Sequence, residues 1–313
     1  MALSKIKFAP GVNKEGTEYS ADAGWFDADK IRFRQGRVEK IGGWEKYTDQ
    51  SFLGVCRSLH NWSSLESINY LGVGTNLKFY VAEGAGYNDV TPLRLTAGAG
   101  DATFAATDGS STITVTENGH GAVVNDFVTF SSAASLGGLV TAAVLNQEYQ
   151  ITSVATTNTF TITAKDTNGT EVVANSSDTG NGGSSTVAAY QINTGLNTFV
   201  QGTGYGAGTW SSGAWGSSSS ISAAGQLRLF SQDNFGEDLV FNARGGGIYY
   251  WDESSGTGAR AVEIGSLAGA SNTPTIALQV LVSDVDQHVI AFGSNPIGSS
   301  AIDPLLVRFS DQE

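Results

Sequence analysis

The chain reads as an all-β protein, and three observations say so. Apolar and polar residues alternate with a period of two in nearly every ordered-looking segment. The 313 residues include 40 Gly but only 5 Pro, spread without a three-residue repeat, as many short turns require. No stretch of about 12 residues or more carries the 3.6-residue apolar stripe of an amphipathic helix.

The elements follow in chain order. Lys30-Ile31-Arg32-Phe33-Arg34 alternates, putting Ile31 and Phe33 on one face and three cations on the other. Tyr70–Val81 reads as an apolar strand, a Gly/Asn turn and an aromatic strand leaving it. Thr112–Thr116, Phe127–Phe130, Tyr149–Val154 and Phe160–Thr163 are β-branched or aromatic runs between Gly, Asn and Asp turns. Asp238–Asp252 repeats the hairpin pattern of Tyr70–Val81, and a third version runs from Gln279–Val282 through His288–Gly293 to Leu305–Ser310. Repeated hairpins of this kind predict blades of a partial or split β-propeller, with a sandwich of similar strand count fitting the pattern as well.

Between the first and second hairpins the composition changes to Thr, Ala, Ser and Gly. Five or six short strands there predict a small β-barrel or sandwich inserted into a loop. Three regions result: 1–96, an N-terminal segment with the first blade; 97–189, the inserted domain; and 190–313, a Gly/Ser/Trp loop with further blades. Within them, Asn175–Ser185 reads as a flexible loop. The stretch 202–220 is also of low complexity but holds Tyr205, Trp210 and Trp215, which predicts that it packs against this chain or a neighbouring subunit.

Charge excludes several function classes. Thirty acids against seventeen bases give −13. Nine bases and seven acids fall in the first 46 residues, so the other 267 carry −15 (8 bases, 23 acids). Between Leu95 and Leu227 the single base is Lys165. A stable nucleic-acid clamp needs clustered cations, and most of this chain has the opposite sign. The lone Cys56 cannot close an internal disulfide and is expected to be a small buried thiol. Met1–Lys7 lacks the apolar core of a signal peptide, and no run of ~18 apolar residues predicts a membrane span.

The search for chemistry finds little. His60, His120 and His288 stand in unrelated contexts without zinc-ligand spacing, and His120 sits between two glycines in an apparent turn. Ser231–Gly236 is similar to the Asp-box turn of sialidase-type propellers, but its Gly is displaced by one and no Thr-Trp follows; it reads as a hairpin turn. Ser283-Asp284-Val285-Asp286 lacks the further oxygen ligands calcium needs. Gly245-Gly246-Gly247 precedes a strand, unlike a phosphate loop. Neither a cofactor nor a metal is expected, and the chain is not expected to be an enzyme.

Phe8-Ala9-Pro10-Gly11-Val12, Gly24–Arg37 and Glu39-Lys40-Ile41-Gly42-Gly43-Trp44 together resemble the N-terminal signature of nozzle, or tail tubular protein B, components of short-tailed bacteriophages. Gly72–Thr75, Asp89–Pro92 and Trp210–Gly216 look like further landmarks of that group. Thr114–Phe130 looks like a small β-domain that recurs as an insertion in phage tail proteins. The resemblance implies a propeller with inserted domains, repeated in a hexameric ring around a DNA channel in the virion tail and assembled in the bacterial cytoplasm. Implied partners are other copies of the chain, the tail adaptor and the tail fibre proteins, with transient, sequence-independent passage of DNA. Relatives in this group are longer, and three blades do not close a propeller, so a fragment, a split gene or blades supplied by another chain are all open.

In this setting Lys30, Arg32, Arg34 and Arg37, flanked by Trp25 and Trp44, form the candidate subunit interface. The bland alternative is a solvated strand face with ion pairs to Asp27, Asp29 or Glu39, and core packing for the tryptophans. Tyr205, Trp210 and Trp215 are candidate loop contacts. Under the alternative function, a glycan- or receptor-binding tail tip, those rings would stack on host-surface sugars.

Overall fold

A computed structural model describes residues 8–20, 23–193, 195, 229–283 and 285–311. They are nearly all strand and turn, in six antiparallel sheets, with one single-turn α-helix. The chain divides into two units between Asp49 and Gln50.

The N-terminal unit is built around one hairpin, β1 (Ile31–Arg34) and β2 (Arg37–Lys40). Gln35 (φ 51°) and Gly36 (φ 75°) form the two-residue turn, both in the left-handed region that matches strand twist. The alternation of Ile31 and Phe33 with Arg32 and Arg34 holds, but Lys30 does not extend it. Its φ of 57° takes it out of the strand, where it accepts the Ile41 amide at 2.9 Å through its carbonyl.

The second unit contains three meander sheets. The first runs β3 (Cys56–Ser63), β4 (Asn69–Thr75), β5 (Phe79–Glu83), β6 (Gly86–Asp89) in spatial order. The inserted segment follows and uses β7 to β15. The second meander is β16 (Phe230–Phe235), β17 (Asp238–Ala243), β18 (Ile248–Trp251), β19 (Val262–Glu263), and the third is β20 (Gln279–Val282), β21 (Val289–Phe292), β22 (Val307–Phe309). Ser231–Phe235, expected to be a turn, lies inside β16; only Gly236 and Glu237 turn, between the paired Phe235 and Asp238.

The meanders stack face to face, with the second in the middle. That explains the unbroken apolar run in β17. Leu239 and Phe241 enter a core with Trp62, Tyr70, Phe79 and Val81 of the first sheet, while Val240 faces Val280, Val282, Val289 and Ala291 of the third. A strand buried on both faces has no polar side to display. Phe79 and Phe241, both fully buried, stack at 3.8 Å between ring centroids.

The inserted segment folds as two sheets around its own core. One is ordered β11 (Glu148–Gln150), β10 (Phe127–Ser131), β15 (Val187–Gln191), β7 (Leu93–Thr96). The other is ordered β12 (Ser153–Thr156), β13 (Thr159–Thr163), β9 (Thr112–Thr116), β8 (Thr103–Ala106), β14 (Asp178–Asn181). Alternation aims Phe104, Ile113, Val115, Phe160 and Ile162 of the second sheet at Val128, Phe130, Ala188 and Tyr190 of the first. The helix α1 (Ala142–Leu145) is capped by the Thr141 hydroxyl, which accepts from the Val144 amide. β7 and β15 pair with each other, so the segment enters and leaves at one place.

Two expectations fail here. The run Tyr149–Val154 is not one strand: it breaks at Ile151-Thr152, and its halves join different sheets. Ile151 at the break is fully buried, and its amide donates to the Asp126 carbonyl at 2.8 Å, which turns the chain across the core. Asn175–Ser185 is not simply a loop, because Asp178–Asn181 adds to the edge of β8. An Asp-Thr-Gly-Asn strand has little intrinsic β preference and is held by the ladder it joins.

Candidate assembly surface and buried charge junction

The hairpin of the N-terminal unit has two unlike faces. On one, Phe33 meets the Trp25 ring edge-on at 6.1 Å, and Trp25 meets Phe8 at 5.7 Å. Trp25 is half-buried in this aromatic row and bonded through its carbonyl to the Asn13 amide at 2.9 Å. On the other face lie Arg32, Arg34 and Arg37, all exposed, with Glu39. The register sets Arg32 opposite Glu39, and the two ion-pair at 3.2 Å; it also sets Arg34 opposite Arg37.

Like charges directly across an antiparallel pair oppose its formation. Among the described residues the ion pairs of this unit are Lys14–Asp27, Lys30–Asp29, Arg32–Glu39 and Lys46–Asp49, so none includes Arg34 or Arg37. Lys14 holds the Asp27 carboxyl below its usual range by a hydrogen bond and by its charge. Lys30 reaches Asp29 at 3.8 Å with both side chains exposed, a contact of little strength. Trp44 is fully exposed. The structure thus brings Arg32, Arg34 and Arg37 together, puts Trp25 on the far side of the same hairpin, and leaves Trp44 apart from that aromatic row. Tyr205, Trp210 and Trp215 lie outside the described residues.

A second constellation was not legible as a motif. Where the inserted domain meets the meander sheets, Lys78 is only 3% exposed and its ammonium lies 2.6 Å from Asp89 and 2.5 Å from Glu148. Arg260, on the segment before β19, stands 3.5 Å from each of the same carboxylates and donates to the Thr91 carbonyl at 2.7 Å. Gln191 donates to the second Glu148 oxygen at 2.5 Å, and the Thr91 hydroxyl donates to Asp89 at 2.6 Å. Two cations and two carboxylates cancel around the buried Lys78, the condition for tolerating its charge there. Burial raises the Asp89 pKa, but Lys78, Thr91 and Arg260 outweigh it and hold the carboxyl below its ordinary value. Burial pushes the neighbouring Tyr80 phenol up to about 12.

A third cluster ties the base of the inserted domain. Arg94 of β7 lies 3.6 Å from Asp126, donates to the His120 carbonyl at 3.1 Å and sits over the Tyr190 ring at 5.0 Å. Tyr190 donates to Glu117 at 2.6 Å, and burial raises the pKa of both. His120 is 1% exposed, and its Nδ1 accepts the Ala122 amide at 3.0 Å. Gly119 and Gly121 on either side take φ of 68° and 60°, which a side chain there would resist. Burial lowers the His120 pKa, as expected for an imidazole held neutral inside a fold.

Cys56 is exposed rather than buried. It opens the edge strand β3, where the register slips between Cys56 and Ser58 and turns the side chain outward. Among the described residues no group of three His, Cys, Asp or Glu side chains is arranged to hold a metal ion.

No protein-family profile and no curated protein sequence matches the chain. Among solved structures it is similar to the phage phi92 endosialidase, with 14% identity and a TM-score of 0.24, over 87% of this chain and 40% of that one. The chain therefore spans less than half the length of that protein, and a likeness at this TM-score carries no inference about fold or activity.

Proposed function

We propose that the chain is a structural component of a short phage tail, a nozzle subunit that assembles with copies of itself into a hexameric ring through which DNA leaves. The observation that carries the reading is the hairpin face on which Arg34 is set against Arg37 without an ion-pair partner among the described residues. A carboxylate-bearing surface on a neighbouring subunit or the tail adaptor would relieve that repulsion; a lone subunit would not. The resemblance of Phe8–Trp44 to the nozzle signature supports it independently, and stacked meanders with a two-sheet insertion suit a partial propeller.

The role is passive conduction. Each lasting contact between a Lys or Arg and a phosphate would brake the passing duplex, so the channel wall needs neutral or negative charge. The −15 beyond residue 46 suits that demand. Thr112, Thr114 and Thr116 stand directly opposite Thr163, Thr161 and Thr159 across paired strands, giving that pair of the inserted domain an uncharged outer face. Reversing charge with Arg32→Glu and Arg34→Glu together tests the surface: the variant should fold and stay monomeric where the unaltered chain forms rings. Rings of normal size from the variant would refute this use of the hairpin.

A further inference from the structure

The inserted domain and the meander sheets do not share a core. The apolar cluster of the insertion draws only on residues 97–190, and the clusters of the meanders contain none of them. Covalently the two parts are joined at Pro92–Leu93 and at Gln191–Asn193, where the Ile192 amide donates to the Pro92 carbonyl at 3.0 Å. Two adjacent connections of this kind form a hinge, and something else must set the angle about it. Polar junctions between domains permit relative motion unless a specific contact prevents it.

The contact present is Glu148. It stands on β11, the edge strand farthest in its sheet from the hinge strand β7. Its Oε1 takes the Lys78 ammonium at 2.5 Å, and its Oε2 lies 3.5 Å from Arg260. Lys78 belongs to the turn before β5 and Arg260 to the segment before β19, so one carboxylate holds both the first and the second meander. Gln191, beside the hinge, donates to the same Oε2 and fixes the carboxylate plane. Lys78 also lies over the Phe127 ring of β10 at 4.5 Å, a weaker tie that does not constrain direction.

We propose that Glu148 is a latch: its carboxylate fixes the inserted two-sheet domain at one angle on the meander sheets, and neutralising it frees the domain to swing about the Pro92 and Ile192 connections. The inference is independent of the tail reading. The latch is separable from folding because, when Glu148 is lost, the buried Lys78 keeps Asp89 at 2.6 Å while Arg260, its side chain 31% exposed, stays 3.5 Å from Asp89 and in reach of water.

The test uses the full chain with two spin labels. One sits on Cys56, the chain's single cysteine and exposed on β3; the other sits on Asn168→Cys, in the exposed turn between β13 and β14 of the insertion. Pulsed dipolar spectroscopy should give one narrow distance distribution for the parent and a distribution at least twice as broad for Glu148→Gln. The control Glu171→Gln, an exposed carboxylate of the same domain, should leave the width unchanged. A Glu148→Gln distribution superimposable on the parent overturns the proposal. If circular dichroism shows that Glu148→Gln fails to fold, Glu148→Asp, one methylene too short to span both Lys78 and Arg260, is measured with the same labels, and an unbroadened distribution there overturns it equally.

Discussion

Asp233 of β16 accepts the backbone amide of Val282 in the next sheet, Oδ2 to N 2.9 Å, and Ser231, two residues earlier, accepts the amide of Val280 at 2.8 Å. The edge of β20 that faces away from β21 is thus satisfied by side chains rather than by another strand. Gln232, between them, points the other way and donates to the Ser58 hydroxyl of β3 at 2.8 Å. One strand stitches three sheets together because its alternate residues reach opposite neighbours.

Removing that acceptor leaves a buried donor. Asp233→Ala should destabilise the second unit by about 1–3 kcal/mol, the cost of an unsatisfied buried amide. Asp233→Asn, which keeps an oxygen in place, should lose less. Urea denaturation of both variants checks the order, and equal losses would contradict the hydrogen-bond account.

The Phe79–Phe241 stack sits at the centre of the first inter-sheet core. Phe241→Ala should cost ~3–5 kcal/mol, as large-to-small changes at fully buried aromatics do. Phe241→Leu should cost less because it leaves a smaller void. The denaturation midpoint reads both.

The half-buried Asp89 and the buried Glu117 should respond to pH with opposite sign. Asp89 has a lowered pKa, so its contribution is present above the ordinary value of 3.8 and is lost as pH falls through its folded value below that. The melting-temperature gap between the parent and Asp89→Asn should therefore be widest near neutrality and close only below pH 3.8. Glu117 has a raised pKa, so its protonated form favours the fold: that contribution is full below 4.5 and fades as pH rises through its folded value. Glu117→Gln, which can still accept from Tyr190, should raise the melting temperature at pH 7 and lose that advantage below pH 4.5.

Strands with strict alternation were legible because their pattern reports burial on one face. Ile113 and Val115, and Phe160 and Ile162, fall where alternation puts them. Tyr149–Val154 misled because an apolar run does not reveal that a chain crosses from one sheet to the other at Ile151. Asp178–Asn181 was missed because its pairing, not its composition, makes it a strand. Glu148 carries no motif, but a signal existed. A segment whose single base is Lys165 yet contains Glu117, Asp126 and Glu148 must borrow cations if those carboxylates are to be buried. Arg94, Lys78 and Arg260 supply them from its borders. Lys78, between Leu77 and Phe79 in an apolar stretch, was the other half of that signal. In the arginine face the alternation of Ile31 and Phe33 with Arg32 and Arg34 was legible, but Lys30 falls outside it, and the register that sets Arg34 opposite Arg37 comes from the two-residue turn at Gln35-Gly36, which the alternation does not reveal.

The central claim is that this chain builds a ring whose wall lets DNA slide. Electron cryo-microscopy of the assembled particle tests it most directly. The account predicts a closed hexameric ring, with the Arg32, Arg34 and Arg37 face against an acidic surface and with Asp, Glu, Thr and Ser lining the lumen. A chain that stays monomeric at assembly concentrations, or a ring whose lumen is lined by Lys and Arg, would contradict it.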